Sequence, residues 1–103
     1  MYYTYMLRCK DNSIYTGYAS DLEKRMEKHF SKAKVAAKYT KSHEPIKLEA
    51  AWQTRDKSLA CSLEYNIKTL TKKQKEKLID GEKLTTFFKG KIDSRRFRRV
   101  KGM

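Results

Sequence analysis

Cysteine, proline, glycine and histidine are all scarce in the sequence. It has two cysteines, one proline and four glycines in 103 residues. Cys9 and Cys61 stand far apart without a C-x-x-C pair, so a reduced compartment is expected and both are expected to be small core residues. The only histidines are His29 and His43, and this scarcity of ligands argues against a structural zinc site.

Long apolar runs are also missing. No segment approaches the ~18 consecutive apolar residues of a membrane-spanning helix. The N-terminus lacks the charged and apolar regions of a signal peptide, and no repeat or Gly/Ser linker divides the chain. We therefore expect one domain, no membrane partner, and a cytoplasmic protein, or a nuclear one if the source is a eukaryote or a virus.

Acidic residues are few relative to basic ones. Twelve Asp and Glu face 25 Lys and Arg, for a formal charge of +13. The excess lies in three blocks, residues 31–43, 68–77 and 91–103, with net charges of +4, +4 and +5. Clustered cations of this kind favour a polyanion, and nucleic acid is the expected partner.

What is present indicates a small α+β domain in the order β-β-α-β-α-α. Alternation predicts strands over residues 2–9, 14–18 and 46–52, the first two joined as a hairpin by a polar turn. A capping box at Ser20 to Glu23 opens a helix with Leu22, Met26 and Phe30 on its buried face.

Further helices are predicted over residues 58–70 and 72–79, the latter capped by Thr71 and stopped by Gly81, with one more turn over residues 84–88. Few apolar residues follow. We expect a domain over residues 1–90 and a mobile basic arm over residues 91–103.

Several side chains could carry chemistry. Tyr5 and Tyr15 are phenols on paired strands, and strand packing alone could explain them. Arg25 could neutralise charge on a phosphoryl group or be an ordinary surface charge. Glu64 lies at the edge of an apolar helix face, where a carboxylate needs a partner such as Mg²⁺ or a nearby lysine.

In order and spacing, these residues resemble the GIY-YIG nuclease superfamily, most closely its small stand-alone bacterial and viral members. The two motifs correspond to Tyr3-Thr4-Tyr5 and Tyr15-Thr16-Gly17, followed by Arg25 and His29 on the next helix and Glu64 on a later one. The resemblance covers roughly the first 80 residues. The chain departs from the pattern at Tyr3, where the first motif's name has glycine, and at Tyr18, where some members carry lysine.

The resemblance implies a three-stranded antiparallel sheet flanked by helices, and metal-dependent hydrolysis of nucleic-acid phosphodiesters. Glu64 would hold one divalent ion, Mg²⁺ or Mn²⁺, and Tyr5 or Tyr15 would position the attacking water. Arg25 would stabilise the transition state and His29 would carry a proton or bind phosphate, although a hydrogen-bonded structural role fits His29 equally well. Gly17 would be structural, and no small-molecule cofactor is expected.

The basic blocks supply the candidate nucleic-acid contacts. Lysines of the loop over residues 31–43 and of the third helix would contact phosphates, and a tyrosine of that loop would stack on an unpaired base. The arginine-rich tail would bind the phosphate backbone of the nucleic acid. The candidates are Lys32, Lys34, Lys38, Tyr39, Lys41, Lys72, Lys73, Arg95, Arg96, Arg98 and Arg99.

The resulting hypothesis is an endonuclease acting on DNA, structure-specific or weakly sequence-specific. Two alternatives stay open: a nucleic-acid-binding module without catalysis on the same fold, and a small ribosome-associated or RNA-binding protein.

Overall fold

A computed structural model describes residues 1–32 and 44–101 of the chain. Within these residues one antiparallel sheet carries helices on both faces, with strand order β2-β1-β3-β4. None of the described helices combines the length and the apolar character that a bilayer span requires. The elements are β1 (Tyr2–Cys9), β2 (Ile14–Ala19), α1 (Leu22–Lys32), β3 (Pro45–Thr54), α2 (Lys57–Lys68), α3 (Lys72–Ile79), α4 (Leu84–Phe88), a 3-10 helix (Ser94–Arg96) and β4 (Arg98–Arg99).

The predicted hairpin is confirmed. β1 and β2 pair in register from Tyr3 opposite Ala19 to Arg8 opposite Ile14. Their turn places Asn12 at φ 71°, a left-handed conformation that asparagine tolerates better than most residues.

The alternation of β1 divides the core into two layers. On one face, Met6, Ala50 and Trp52 pack against α2, α3 and α4. On the other, Tyr5, Leu7 and Ala51 pack against the predicted stripe of α1, which consists of Leu22, Met26 and Phe30. A period of two in the strand thus separates the helices into two groups.

The helix ends follow the expected chemistry with one shift. Thr71 and Gln74 form a reciprocal capping box on α3. Gly81, at φ 112°, ends that helix as predicted. The cap of α1 is Asp21 rather than Ser20, since its carboxylate accepts the amide of Lys24 at 3.1 Å.

The prediction of three strands was wrong, because the C-terminal segment adds a fourth. Arg98 and Arg99 pair with β3, and the amide of Val100 donates to the carbonyl of Ala51 at 2.8 Å. We expected a mobile arm here, but Ile92 is buried in the core and Phe97 packs against it. These few apolar anchors dock the segment on the open edge of β3, which would otherwise leave its backbone groups unpaired.

Arg99, one of the candidate nucleic-acid contacts, makes several contacts within the fold. Its guanidinium donates to the carbonyls of Leu78 and Ile79 at 2.9 and 2.7 Å, at the end of α3. It also lies over the ring of Trp52, 5.4 Å from the centroid. These contacts use the cation within the fold, where it complements the negative end of a helix.

Arg8 joins the sheet to α3 in a network that sequence patterns did not reveal. Its guanidinium donates to Glu49 of β3 at 3.0 Å and to Glu76 of α3 at 2.6 Å. The hydrogen bond to Arg8 lowers the pKa of the Glu76 carboxyl, so the charged pair is maintained at neutral pH.

We predict that Arg99→Ala lowers the free energy of unfolding by about 1–3 kcal/mol, because the hydrogen bonds that Arg99 donates to two carbonyls and its contact with Trp52 are lost together. Urea unfolding followed by Trp52 fluorescence measures this. The matched control is Arg98→Ala on the same strand, whose exposed side chain should contribute less than about 0.5 kcal/mol. Equal losses in the two variants would contradict the structural role of Arg99.

Candidate active site

Tyr5 and Tyr15 lie on the same face of the hairpin. The register places Tyr5 opposite Gly17 and Tyr15 opposite Leu7, so both phenols point toward the α1 side of the sheet. Their ring centroids are 6.3 Å apart. The surroundings differ: Tyr5 is fully buried, whereas 46% of Tyr15 is exposed. One phenol is therefore enclosed by the fold, and the other is available to solvent and ligands.

Gly17 is required by the position of the Tyr5 ring. A Cβ at residue 17 would lie 2.6 Å from the Tyr5 hydroxyl oxygen and 2.8 Å from its Cζ. Carbon atoms do not approach this closely without displacement. The absence of a side chain at residue 17 thus lets the phenol lie across β2, which gives the predicted structural role of Gly17 a steric cause.

His29 reaches this cluster from α1. Its Nε2 and the Tyr5 hydroxyl share a hydrogen bond of 2.8 Å, and its ring centroid is 5.5 Å from that of Tyr15. The Asp21 cap and the apolar stripe fix the rotation of α1, which directs His29 toward the hairpin. The three rings form one cluster, hereafter the Tyr5–His29–Tyr15 cluster.

The charges of Arg25 and Glu64 both act on Tyr5. Arg25 precedes His29 by one helical turn and is exposed. Glu64 lies on α2, one turn after Ala60, whose carbonyl accepts the Thr4 hydroxyl of β1 at 2.8 Å. α1 and α2 lie on opposite faces of the sheet, and the charges of Arg25 on α1 and Glu64 on α2 both act on the Tyr5 phenol.

Burial raises the pKa of Tyr5 to about 12, and the neighbouring Tyr15 adds to the increase. Arg25 opposes it by charge and hydrogen bonding, while Glu64 supports it. Tyr5 is consequently a neutral phenol at physiological pH. Burial, and then the charge of Arg25, lower the pKa of His29, so its imidazole is neutral as well.

Glu64 is the candidate metal ligand, and its oxygen donors fit a hard divalent cation. Its carboxylate is one-fifth exposed and lies 3.3 Å from the Lys68 ammonium on the same helix. Among the described residues, no group of three or more His, Cys, Asp or Glu could enclose a metal. One carboxylate completed by water and substrate phosphate is nevertheless a normal way to hold Mg²⁺.

The candidate binding residues are dispersed. Lys72 and Lys73 are exposed on the first turn of α3, and Lys72 lies 3.9 Å from Glu76. Arg95 pairs with Asp93 at 3.0 Å, and Arg96 and Arg98 are exposed. Lys32 ends α1, and the other loop candidates, Lys34, Lys38, Tyr39 and Lys41, lie outside the described residues.

Sequence reasoning missed Arg55, an exposed arginine that directly follows β3. It lines a cleft with Arg96 and Arg98. Arg55 lies outside the three basic blocks of the sequence. It comes close to the C-terminal arginines only because β3 pairs with β4. Only a prediction of that fourth strand would have placed them together.

We predict that Gly17→Ala lowers the free energy of unfolding by about 1–3 kcal/mol, because the new methyl group displaces the Tyr5 ring. Combining it with Tyr5→Phe removes the closest clashing atom, so the losses should be non-additive by at least about 0.5 kcal/mol. Urea unfolding of the four proteins measures the coupling. Additive losses would show that residue 17 and the Tyr5 hydroxyl are independent.

We also predict that Arg25→Gln raises the pKa of His29, since removing a nearby positive charge makes the imidazolium less unfavourable. Proton NMR titration of the His29 ring measures this in the folded protein. Lys28→Gln is the control, because it removes an equal charge from an exposed position of α1. An unchanged His29 pKa in Arg25→Gln would exclude electrostatic contact between the two residues.

Comparison with known proteins finds a matching family and several similar relatives. Residues 1–77 match the model of the GIY-YIG catalytic domain. A UPF0213 protein of Fusobacterium nucleatum is 56% identical over 78 residues, covering 76% of each chain. A UPF0213 protein of Staphylococcus saprophyticus is 46% identical over 78 residues, covering 76% of this chain and 93% of the relative.

A solved structure is similar as well. The solution NMR structure of a UPF0213 protein from Bacillus halodurans is 42% identical, covers 78% of this chain and 84% of its own, and superposes with a TM-score of 0.50. The matched region includes both tyrosine motifs, Arg25, His29 and Glu64. The resemblance inferred from these residues is confirmed: the chain belongs to the GIY-YIG family.

Proposed function

We propose that this protein hydrolyses phosphodiester bonds in DNA with the help of a divalent cation. The observation that carries the proposal is the Tyr5–His29–Tyr15 cluster lying within electrostatic reach of both Arg25 and Glu64. Phenols, an imidazole, a guanidinium and a carboxylate are the groups needed to orient water, accept a proton and neutralise phosphate charge. Membership in a family of catalytic domains supports the same reaction class.

Arg25 would bind the scissile phosphate. A guanidinium donates two parallel hydrogen bonds to phosphate oxygens and remains cationic at every physiological pH. Arg25 is exposed, so a backbone phosphate can approach it, and it lies close enough to Tyr5 to affect the pKa of that phenol. Its charge would oppose the negative charge that increases on the phosphoryl oxygens as water attacks.

The two tyrosines would have different tasks. With a pKa of about 12, Tyr5 keeps its proton and serves to position His29. Tyr15 is half exposed and adjoins the same imidazole, so its hydroxyl can hold the attacking water. This division assigns water positioning to Tyr15, which the sequence alone left open between the two phenols.

His29 would accept the proton of that water. Its pKa is lowered, so the unprotonated imidazole predominates at neutral pH, as a proton acceptor requires. This requires the tautomer in which Nε2–H donates to the Tyr5 oxygen, which leaves the lone pair of Nδ1 free. As the water oxygen bonds to phosphorus, its proton would pass to Nδ1, and the leaving oxygen would depart with the electron pair of its broken bond. The hydrogen bond with Tyr5 keeps the ring in one orientation during this transfer.

Glu64 would hold the cation, Mg²⁺ or Mn²⁺. When bound, such an ion lowers the negative charge on the phosphate and stabilises the leaving oxygen. For the Glu64 carboxylate to act as a ligand, the Lys68 side chain must move away from it. Lys68 is exposed on the last turn of α2, which permits this movement. The proposal therefore requires Glu64 and does not require Lys68.

Exposed basic residues around the domain indicate a nucleic acid as the substrate class, and within that class we propose DNA. Exposed lysines on α3 and arginines near β4 give sequence-independent contacts to phosphates. A domain of this size offers little surface for reading bases, which favours branched, damaged or single-stranded DNA over a long sequence.

A binding module without catalysis is the second candidate, and the Glu64–Lys68 ion pair favours it. In that case Lys68 neutralises the carboxylate, and the phenols and imidazole serve only the packing of α1 on the hairpin. This candidate predicts salt-sensitive binding of DNA or RNA and no cleavage with either metal ion.

The decisive test compares Glu64→Gln and Arg25→Gln with the unmodified protein on supercoiled, single-stranded and branched DNA, with Mg²⁺ or Mn²⁺. We expect each variant to reduce single-turnover cleavage by about 100-fold or more, since each removes charge stabilisation from the transition state. Glu23→Gln and Lys57→Gln are the matched controls, because they remove equal charges at exposed positions of the same two helices.

Binding must be measured alongside cleavage. Retained binding by Glu64→Gln with lost cleavage would support the catalytic role. Cleavage that survives both Glu64→Gln and Arg25→Gln would eliminate this site. Binding of DNA or RNA by the unmodified protein without cleavage under every metal condition would favour the binding module, and a preference for RNA would exclude DNA as the main substrate.

A further inference from the structure

A basic cleft lies where β3 ends and the C-terminal segment begins. It encloses about 560 Å³ and is lined on one side by Thr54 and Arg55 and on the other by Arg95, Arg96 and Arg98. No aspartate or glutamate is among its lining residues. Its position on β3 and β4 separates it from the Tyr5–His29–Tyr15 cluster, two of whose residues lie on the β1–β2 hairpin.

The cleft presents cations that the fold does not neutralise. Among the described residues, Arg55, Arg96 and Arg98 form no ion pair, whereas Arg95 is paired with Asp93. The charge of Arg96 acts on both Asp56 and Asp93, so Arg96 is partly compensated, which leaves Arg55 and Arg98 as the cations of the cleft with no carboxylate partner among the described residues. Asp56 also caps α2 by accepting the amide and hydroxyl of Ser58. Arginines grouped at one opening repel one another and are relieved by a bound anion.

The backbone beneath these arginines is fixed. Arg98 pairs with Gln53 in the sheet, and Phe97 packs against the core. The Asp93 carboxylate caps the 3-10 helix that carries Arg95 and Arg96. Because the backbone is held, little of it must be ordered on binding, and the free-energy cost of association is reduced.

Thr54 adds a second observation. This cleft residue is 3% exposed, and its hydroxyl has no hydrogen-bond partner within the described part of the chain. Buried hydroxyl groups rarely remain unpaired, and because this oxygen is closed to solvent, a ligand would reach it only after a local movement of the cleft wall.

We propose that this arginine cleft binds a backbone phosphate of the nucleic acid at a distance from the scissile bond. Its identity as a substrate contact rests on the proposed function; its binding of a phosphate does not. Three strand spacings separate β2 from β4, about 14 Å, which corresponds to about four nucleotides along a duplex. The cleft would thus fix the direction of the nucleic acid across the sheet.

The regular spacing of phosphates favours a nucleic acid over an acidic protein. Guanidinium groups bind phosphate and carboxylate oxygens alike in bidentate geometry, but only a phosphodiester chain presents an anion at every nucleotide. The remaining basic residues, including those of α3, could contact further phosphates of one continuous chain.

The test is the salt dependence of binding by the double variant Arg55→Gln/Arg98→Gln. The probe is a fluorescein-labelled duplex of about 20 base pairs, measured by anisotropy without divalent ions so that no cleavage occurs. We expect the dissociation constant to rise about tenfold or more near 0.1 M salt, and the slope of log K against log salt to fall in magnitude by about 1 to 2.

The control is Lys89→Gln/Lys91→Gln, which removes two exposed charges from the same part of the chain but outside the cleft. We expect less than about a threefold change, and Trp52 fluorescence must show that both doubles are folded. Equal weakening in the two doubles would overturn the cleft, since net charge alone would then explain binding. Weakened binding of a polyglutamate peptide with unchanged duplex binding would overturn it in favour of an acidic protein.

Cleavage separates this inference from the proposed function. At subsaturating DNA the cleft double should cleave more slowly in proportion to its weaker binding, because it removes substrate contacts and none of the groups proposed for the chemistry. If the unmodified protein binds through the cleft and cleaves nothing, only the proposed function fails. If it cleaves and the cleft double binds duplex as the control does, only the cleft fails.

Discussion

The position of the Tyr5 ring across Gly17 is the constraint on which the site depends. A buried phenol can lie over β2 only because residue 17 has no Cβ, and from that position its hydroxyl reaches His29. The resulting hydrogen bond joins the hairpin to α1. The same helix carries Arg25. The approach of the Tyr5 ring to β2 therefore helps to set the positions of both the His29 imidazole and the Arg25 guanidinium.

Burial gives the site its distribution of protons. Removing Tyr5 from water raises its pKa to about 12, and burial also lowers the pKa of His29. Both groups are therefore neutral in a chain whose net charge is +13. In the proposed function the net charge would attract a polyanion, whereas the proton transfer would use Tyr5 and His29 in their neutral forms. These two properties occupy different parts of the domain, with the arginine cleft on β3 and β4 and the cluster on β1, β2 and α1.

Local patterns predicted most of the elements, because each depends on contacts between near neighbours in the chain. The hairpin, the stripe of α1, the Thr71 cap and the Gly81 stop were all confirmed. The C-terminal segment was misjudged for the opposite reason. Its few apolar residues gave no periodic signal, yet Ile92 and Phe97 anchor it and the open edge of β3 supplies the pairing. Long-range pairing of this kind leaves little trace in a short sequence window.

The sequence by itself determined the family resemblance, the basic character and the candidate residues Tyr5, Tyr15, Arg25, His29 and Glu64, since these follow from residue types and their spacing. Only the tertiary structure decided which charges remain available. Arg99 is bound to the carbonyl end of α3, whereas Arg55 joins Arg96 and Arg98 in one cleft. A count of arginines cannot separate these cases, because the free energy of a charge depends on the groups that folding brings beside it.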